Sequence, residues 1–223
     1  MSIILNIDTA QENAFVAVSE NGQIIHSLEN VVQKDHAVFL HKAIQQIQTA
    51  MGLDLNSIDA ISVTKGPGSY TGLRVGMSSA KGLCYALNKP LITVNTLALM
   101  AMDIIINTPQ SSEFLVCPMI DARRMEVFTA LFDSSMIEII KPCAVIVNES
   151  FLENELQQKI IFVGSGSEKL KSIVKNKNAF FSSQFNLAKA LAYMSNEKFK
   201  ANDFENLAHC EPLYIKEHQT IQQ

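Results

Sequence analysis

Lys65-Gly66-Pro67-Gly68-Ser69-Tyr70-Thr71-Gly72-Leu73-Arg74-Val75-Gly76 is the stretch on which the reading of the fold turns. An apolar run, Ile58 to Thr64, precedes it and reads as a buried strand. A segment of helical character, about Tyr70 to Leu87, follows it. A glycine-rich turn between strand and helix has two physical uses. It sets free backbone N–H groups beside the positive end of a helix, which makes a cradle for an anion or a phosphate. It also permits close approach of another element, because Gly72, Gly76 and Ala80 recur every four residues on one helix face. The Walker pattern GxxxxGK[ST] is absent, since Leu73-Arg74 follows Gly72. The dinucleotide pattern is absent too, because the spacing is GxGxxxG and lies well downstream of the first strand. A tight turn with no ligand therefore stays open beside the anion cradle.

Outward from that stretch the chain alternates strand and helix. Ile3 to Thr9 reads as the opening strand, and Ala14 to Ser19 pairs with Gln23 to Leu28 across Asn21-Gly22, a strong hairpin signal. A helix is expected from about Asp35, its N-cap, to Met51, with Gly52 as the stop. Ala37, Leu40, Ile44, Ile47 and Met51 make one apolar stripe along it. Leu91 to Val94 is a further strand. The second half repeats the scheme, with strands at Phe114 to Asp121, Glu126 to Phe132 and near Ile137 to Val147. A helix at Glu149 to Gln158, a strand at Lys159 to Val163 and an amphipathic helix at Asn186 to Lys198 complete it. Each half opens with a strand that ends in Asp, Asp8 and Asp121. The polar segment 107–112 is the expected boundary between subdomains 1–107 and 108–223.

Composition narrows the classes. A chain of 223 residues with 48% hydrophobic and 18% charged residues can bury a sizeable core. The net charge of -4 argues against autonomous nucleic-acid binding. Lys169, Lys171, Lys175 and Lys177 read as the solvated side of a helix. The apolar run before Asn6 and Asp8 is too short for a signal peptide, and no stretch is apolar enough to span a bilayer. Cys84, Cys117, Cys143 and Cys210 show no CxxC and read as free thiols of a reducing, cytoplasmic compartment.

The run GPGSYTGLRVG, together with Ile7-Asp8-Thr9, His36, Asp121-Ala122-Arg123-Arg124-Met125-Glu126-Val127-Phe128 and Pro212-Leu213-Tyr214-Ile215-Lys216, resembles the TsaB family over nearly the full length. These are threonylcarbamoyladenosine biosynthesis proteins once labelled glycoproteases, also called YeaZ. The resemblance implies a duplicated ribonuclease-H-like α/β fold, that of the actin, sugar kinase and Hsp70 superfamily, with two similar subdomains. It implies a non-catalytic scaffold subunit for tRNA threonylcarbamoyladenosine modification, a heterodimer with the transferase TsaD, cooperation with the ATPase TsaE, and a homodimer when alone. Transfer RNA is met only through the complex, no cofactor is required by this chain, and ATP or ADP and metal belong to the partner subunits.

Candidate site residues fall in two groups. The first is a partner-binding face: Ala37, Leu40, Ile44 and Ile47 on one helix, Gly72, Leu73, Gly76, Met77 and Ala80 on the next. Two interior glycines weaken a helix by about 1 kcal/mol each against alanine, so a close contact must offset them. On this reading Gly76→Leu abolishes the complex and leaves the monomer folded, whereas internal packing of the same residues is the competing use. The second group is a residual nucleotide site: Asp8, Thr9, Gly66, Gly68, Ser69, Asp121, Gly164 and Gly166. Strand-terminal Asp residues that bond the adjacent turn, and a plain turn at Gly164-Ser165-Gly166, are the alternatives. No metal site is expected. His36 and His41 are separated by about 140° around a helix. The i, i+4 position from His36 is Leu40, where TsaD carries a second His. HExxH and GxSxG are absent. A stand-alone metallopeptidase or ATP-binding enzyme of the same superfamily is the rival function, and it requires metal or nucleotide binding by the isolated chain.

Overall fold

The computed structural model describes residues 1–30, 35–109, 113–182 and 186–216. The first sheet is built from β1 (Ile3–Asp8), β2 (Ala14–Glu20), β3 (Gln23–Asn30), β4 (Ala60–Gly66) and β5 (Leu91–Asn95), with α1 (His36–Met51) and α2 (Tyr70–Leu87) between its strands and α3 (Thr96–Asn107) after it. The second consists of β6 (Leu115–Asp121), β7 (Glu126–Asp133), β8 (Glu138–Ile146), β9 (Ile160–Val163) and β10 (Ala179–Ser182), with the short α4 (Glu168–Lys171) between the last two and α5 (Leu187–Lys200) after them. The orders are β3-β2-β1-β4-β5 and β10-β9-β6-β7-β8. In each, the first three strands form an antiparallel meander and the last two run parallel to the first. Read from the meander edge, both sheets have the same sequence of strands. The ribonuclease-H-like α/β unit is thus drawn twice, which is the duplicated fold.

Local chemistry explains most elements. Asn21 and Gly22 take φ of 49° and 81° at the β2–β3 turn, the left-handed pair such a hairpin demands. Ser69 caps α2, its side chain accepting from the Gly72 N–H. Gly52 closes α1 in the left-handed conformation. Asp35 occupies the position before α1 but makes no side-chain capping bond.

One expectation is corrected, and two elements carry no clear sequence signal. The α3 helix was not marked by periodicity, because Leu97 to Ile106 is apolar almost all round. Its start is legible only in Asn95, whose side chain accepts from the Leu97 and Ala98 N–H groups at 2.9 and 3.1 Å. Instead of a helix over 149–158, the chain makes turns and a single 3-10 turn at Glu155–Gln157. Asn148 draws the Ser150 N–H and hydroxyl to itself, and Leu152 sits at φ 55°, which breaks a helical path. The strand β10 was unmarked, being four residues long. Of the expected boundary, residues 110–112 lie outside the described residues.

The chain groups into two units, 1–99 with 186–212, and 100–185 with 213–223. A single cut at 107 therefore does not follow the packing. The α5 helix returns to the first unit, where Phe199 packs against Ile4, Ala60 and Ile92. Ser195 donates to Ser62 at 2.7 Å, and Ser2 donates to the Asn196 side chain at 2.8 Å. On the other face of that sheet Leu5, Ile7, Val16 and Val63 pack with α1 and α2. Successive strand residues thus serve opposite layers.

Candidate functional site

The site the sequence singles out lies where β1, β4 and α2 converge. Asp8 ends β1, and its Oδ1 accepts from the Ala10 N–H at 2.8 Å and the Thr64 hydroxyl at 2.6 Å. The Ala10 carbonyl accepts from the Ser69 N–H at 2.8 Å. The Ser69 hydroxyl and carbonyl accept from the Gly72 and Leu73 N–H groups at 3.3 and 2.8 Å. Thr9 donates from Oγ1 to the Gly72 carbonyl at 2.7 Å. Gly66, at φ 112°, precedes a cis bond to Pro67 and turns the chain from β4 toward α2.

The Ala10, Ser69 and Gly72 N–H groups of this junction are thereby engaged within the chain. A Cβ on Gly68 would stand 2.3 Å from the Ala10 carbonyl oxygen, and one on Gly72 would stand 1.9 Å from that of Thr9. The space a phosphate oxygen needs is filled by the chain's own β1–β2 turn. Thr9, Gly66, Gly68 and Ser69 lie with Asp8 in a packed junction, in which the Ala10 and Thr9 carbonyls stand against Gly68 and Gly72.

One edge of this junction is polar and buried. Asp8 is fully buried and its Oδ2 has no partner among the described residues. Burial pushes its carboxyl pKa up, against the bonds from Thr64 and Ala10 and the charge of His36. His36, 6% exposed, donates from Nε2 to the Gln11 carbonyl at 3.1 Å. His41 is exposed, so the two histidines point apart as helix geometry requires.

The partner-face assignment is corrected. Leu40, Ile44, Ile47, Met77 and Ala80 belong to the core of the first unit, and Leu73 is 1% exposed. Gly72 and Gly76 are buried, and a Cβ on Gly76 would stand 2.4 Å from the Thr9 Oγ1. The small residues Gly72 and Gly76 accommodate the β1–β2 turn. Only Ala37 among the nine is exposed. With Ala37, the outward faces carry Val38 and His41 on α1 and Ser78, Gly82 and Tyr85 on α2. Val38 is 56% and Tyr85 83% exposed, and nothing lies within 4 Å of a Cβ on Gly82. The i, i+4, i+7 spacing of Ser78, Gly82 and Tyr85 was the signal that could have found this face.

In the second unit, Asp121 ends β6 in the place Asp8 holds in β1. Its Oδ1 accepts from the Arg123 N–H at 2.6 Å and the Lys169 ammonium at 2.8 Å. The hydrogen bond from Lys169 is the chief cause that holds its carboxyl below the usual range. Its N–H donates to the Ser165 hydroxyl at 3.1 Å. Gly164, φ 99°, and Gly166 are packed against β6: added Cβ atoms would stand 2.5 Å from the Met119 carbonyl oxygen and 3.0 Å from a Val127 methyl. Gly164-Ser165-Gly166 is thus a turn fitted to its own sheet. Lys169 and Lys171 lie on α4, while Lys175 and Lys177 lie beyond it, so no single helix carries the lysine cluster.

Cys84, Cys117 and Cys210 are buried free thiols and Cys143 is half-buried. Burial pushes the Cys84 and Cys117 thiols up to about 12, which keeps them in the unreactive form. Among the described residues no group of three His, Cys, Asp or Glu side chains could hold a metal, and no helix is long and apolar enough to cross a membrane.

The family described as TsaD, tRNA N6-adenosine threonylcarbamoyltransferase, matches residues 23–220. The tRNA threonylcarbamoyladenosine biosynthesis protein TsaB of Escherichia coli is 28% identical over 96% of this chain and 94% of its own. TsaB of Bacillus subtilis is 27% identical over 78% of this chain and 75% of its own. Among solved structures, YeaZ from Pseudomonas aeruginosa superposes with a TM-score of 0.82 at 23% identity, covering 96% of this chain and all of that one.

Proposed function

We propose, because the chain belongs to the TsaD family of tRNA N6-adenosine threonylcarbamoyltransferases and stands beside its TsaB relatives, that it is a non-catalytic scaffold subunit required for threonylcarbamoyladenosine modification of tRNA. It binds and activates the transferase TsaD and works with TsaE in the cytoplasm. It forms a homodimer when alone, and it meets tRNA only within the complex. ATP or ADP and metal belong to the partners.

The observation that carries this reading is the filled cradle of the first unit. The Ala10, Ser69 and Gly72 N–H groups are bonded to Asp8, Ala10 and Ser69, and two carbonyls occupy the space in front of Gly68 and Gly72. Leu40 supports it, since an i, i+4 metal pair with His36 would need a ligand there and this side chain lies in the core. On this reading catalysis belongs to a companion, and this chain contributes a surface. The outward face of α1 and α2, with Val38, Gly82 and Tyr85, replaces the buried stripe as the TsaD-binding face.

Mixing the purified chain with TsaD tests it. Gly82→Glu with Tyr85→Glu abolishes the heterodimer and tRNA modification while the melting temperature of the isolated chain stays unchanged. A complex and activity that survive these changes overturn the face. Calorimetry of the isolated chain with ATP and magnesium, plus metal analysis, addresses the rival reading of a stand-alone metallopeptidase or ATP-binding enzyme. Stoichiometric nucleotide or metal binding would overturn the scaffold.

A further inference from the structure

The turn joining β6 to β7 carries a second interaction surface. Arg123 and Arg124 take φ of 71° and 49°, two successive arginines in the left-handed region. That conformation suits Asn or Gly and strains other residues, and such strain concentrates where a side chain must be presented. The turn is braced from beneath. Lys169, 13% exposed, donates to the Asp121 carboxylate at 2.8 Å and to the Glu126 carbonyl at 2.7 Å, clamping both ends. Lys216 pairs with the Glu126 carboxylate. Both local acids are thus matched by lysines. Neither arginine guanidinium has a hydrogen-bond or ion-pair partner among the described residues, and both residues are exposed. A chain of net charge -4 thereby displays two surplus guanidiniums on adjacent exposed residues.

Apolar surface flanks them. Met125 is 42% and Ile146 69% exposed. Ile146 pairs with Glu126 across β7 and β8, and the Met125 carbonyl accepts from the Val147 N–H at 2.9 Å. Arginine and methionine beside an exposed aliphatic side chain is the composition of a protein–protein contact. A nucleic-acid surface draws instead on many cations spread along a basic face. We infer that the β6–β7 turn docks an acidic protein surface, two carboxylates meeting Arg123 and Arg124 while an apolar side chain covers Met125 and Ile146. Planar guanidinium forks suit this, since each can bond a carboxylate twice.

This rests on the reading that the chain works in a complex with TsaD and TsaE, which supply the probes. Purified TsaD, then TsaE with TsaD, are titrated into the full chain and into the Arg123→Asn/Arg124→Asn double variant. Asn relieves the left-handed strain, so the variant keeps or raises the melting temperature. Its affinity for one of the two proteins falls by at least about 10-fold at low salt, and Arg123→Lys/Arg124→Lys recovers only part of it. Unchanged affinity for both proteins overturns the inference. So does a lowered melting temperature with unchanged affinity, which makes the arginines structural, or a loss of tRNA retention alone, which makes the turn a phosphate contact. If the wild-type chain binds neither protein, the scaffold reading fails and this surface falls with it.

Discussion

Asp8 closes β1 with both oxygens buried, and one of them has no partner among the described residues. Its carboxyl pKa is raised chiefly by burial, so the folded state holds the proton more tightly than the unfolded one. The sign follows directly: stability associated with this group is full below the ordinary aspartate value of 3.8 and is lost as pH rises through the raised one. Asp8→Asn, which keeps an acceptor for Ala10 and Thr64, should therefore stabilise the protein at neutral pH. The gain should shrink toward zero as pH falls to the ordinary aspartate value. Urea denaturation of both proteins across that range measures it, and a pH-independent difference would return Asp8 to an ordinary pKa.

Along α2, the glycines are not equivalent: Gly72 and Gly76 stand four residues apart, and Gly82 follows six residues later. Gly72 and Gly76 face the β1–β2 turn, whereas Gly82 faces open space. Gly72→Ala drives a Cβ into the Thr9 carbonyl and should cost about 3 kcal/mol, as overpacking of a rigid backbone contact does. Gly82→Ala meets nothing and should gain about 1 kcal/mol from helix propensity alone. Denaturant midpoints of the two variants, moving in opposite directions, would establish the division of labour. Equal shifts would refute it. The same contact explains why Gly76→Leu is unsuited to test partner binding: its side chain strikes Thr9 and Val63 inside the monomer, so the fold is disturbed before any interface.

At the scale of the whole molecule, the first unit closes only when residues 186–212 return to it. A fragment ending at residue 107 leaves Ile4, Ala60 and Ile92 without Phe199, and Ser62 without Ser195. It should show no cooperative unfolding transition, while adding α5 to it through a flexible linker should restore one. Cooperative unfolding of the short fragment would contradict the packing. Local signals settled much in advance: the Asn21-Gly22 hairpin, the helices from about 35 and 70 and both Asp-terminated strands are marked by near neighbours in the chain, whereas the parallel pairs β1–β4 and β6–β9 join residues far apart in sequence. Glu149 to Gln158 failed as a helix because Asn148 and the left-handed Leu152 outweigh propensity, and α3 escaped notice because a helix buried on most sides has no polar face. The partner face could not be read from the stripe, since an apolar face has the same period whether it meets its own sheet or another protein. What the sequence by itself determined is the repeated α/β scheme and the family resemblance, because both reside in the order of residues. Which side of α1 and α2 is buried, what fills the space before Gly68 and Gly72, and which unit claims α5 were decided only in three dimensions, because burial depends on residues distant in sequence.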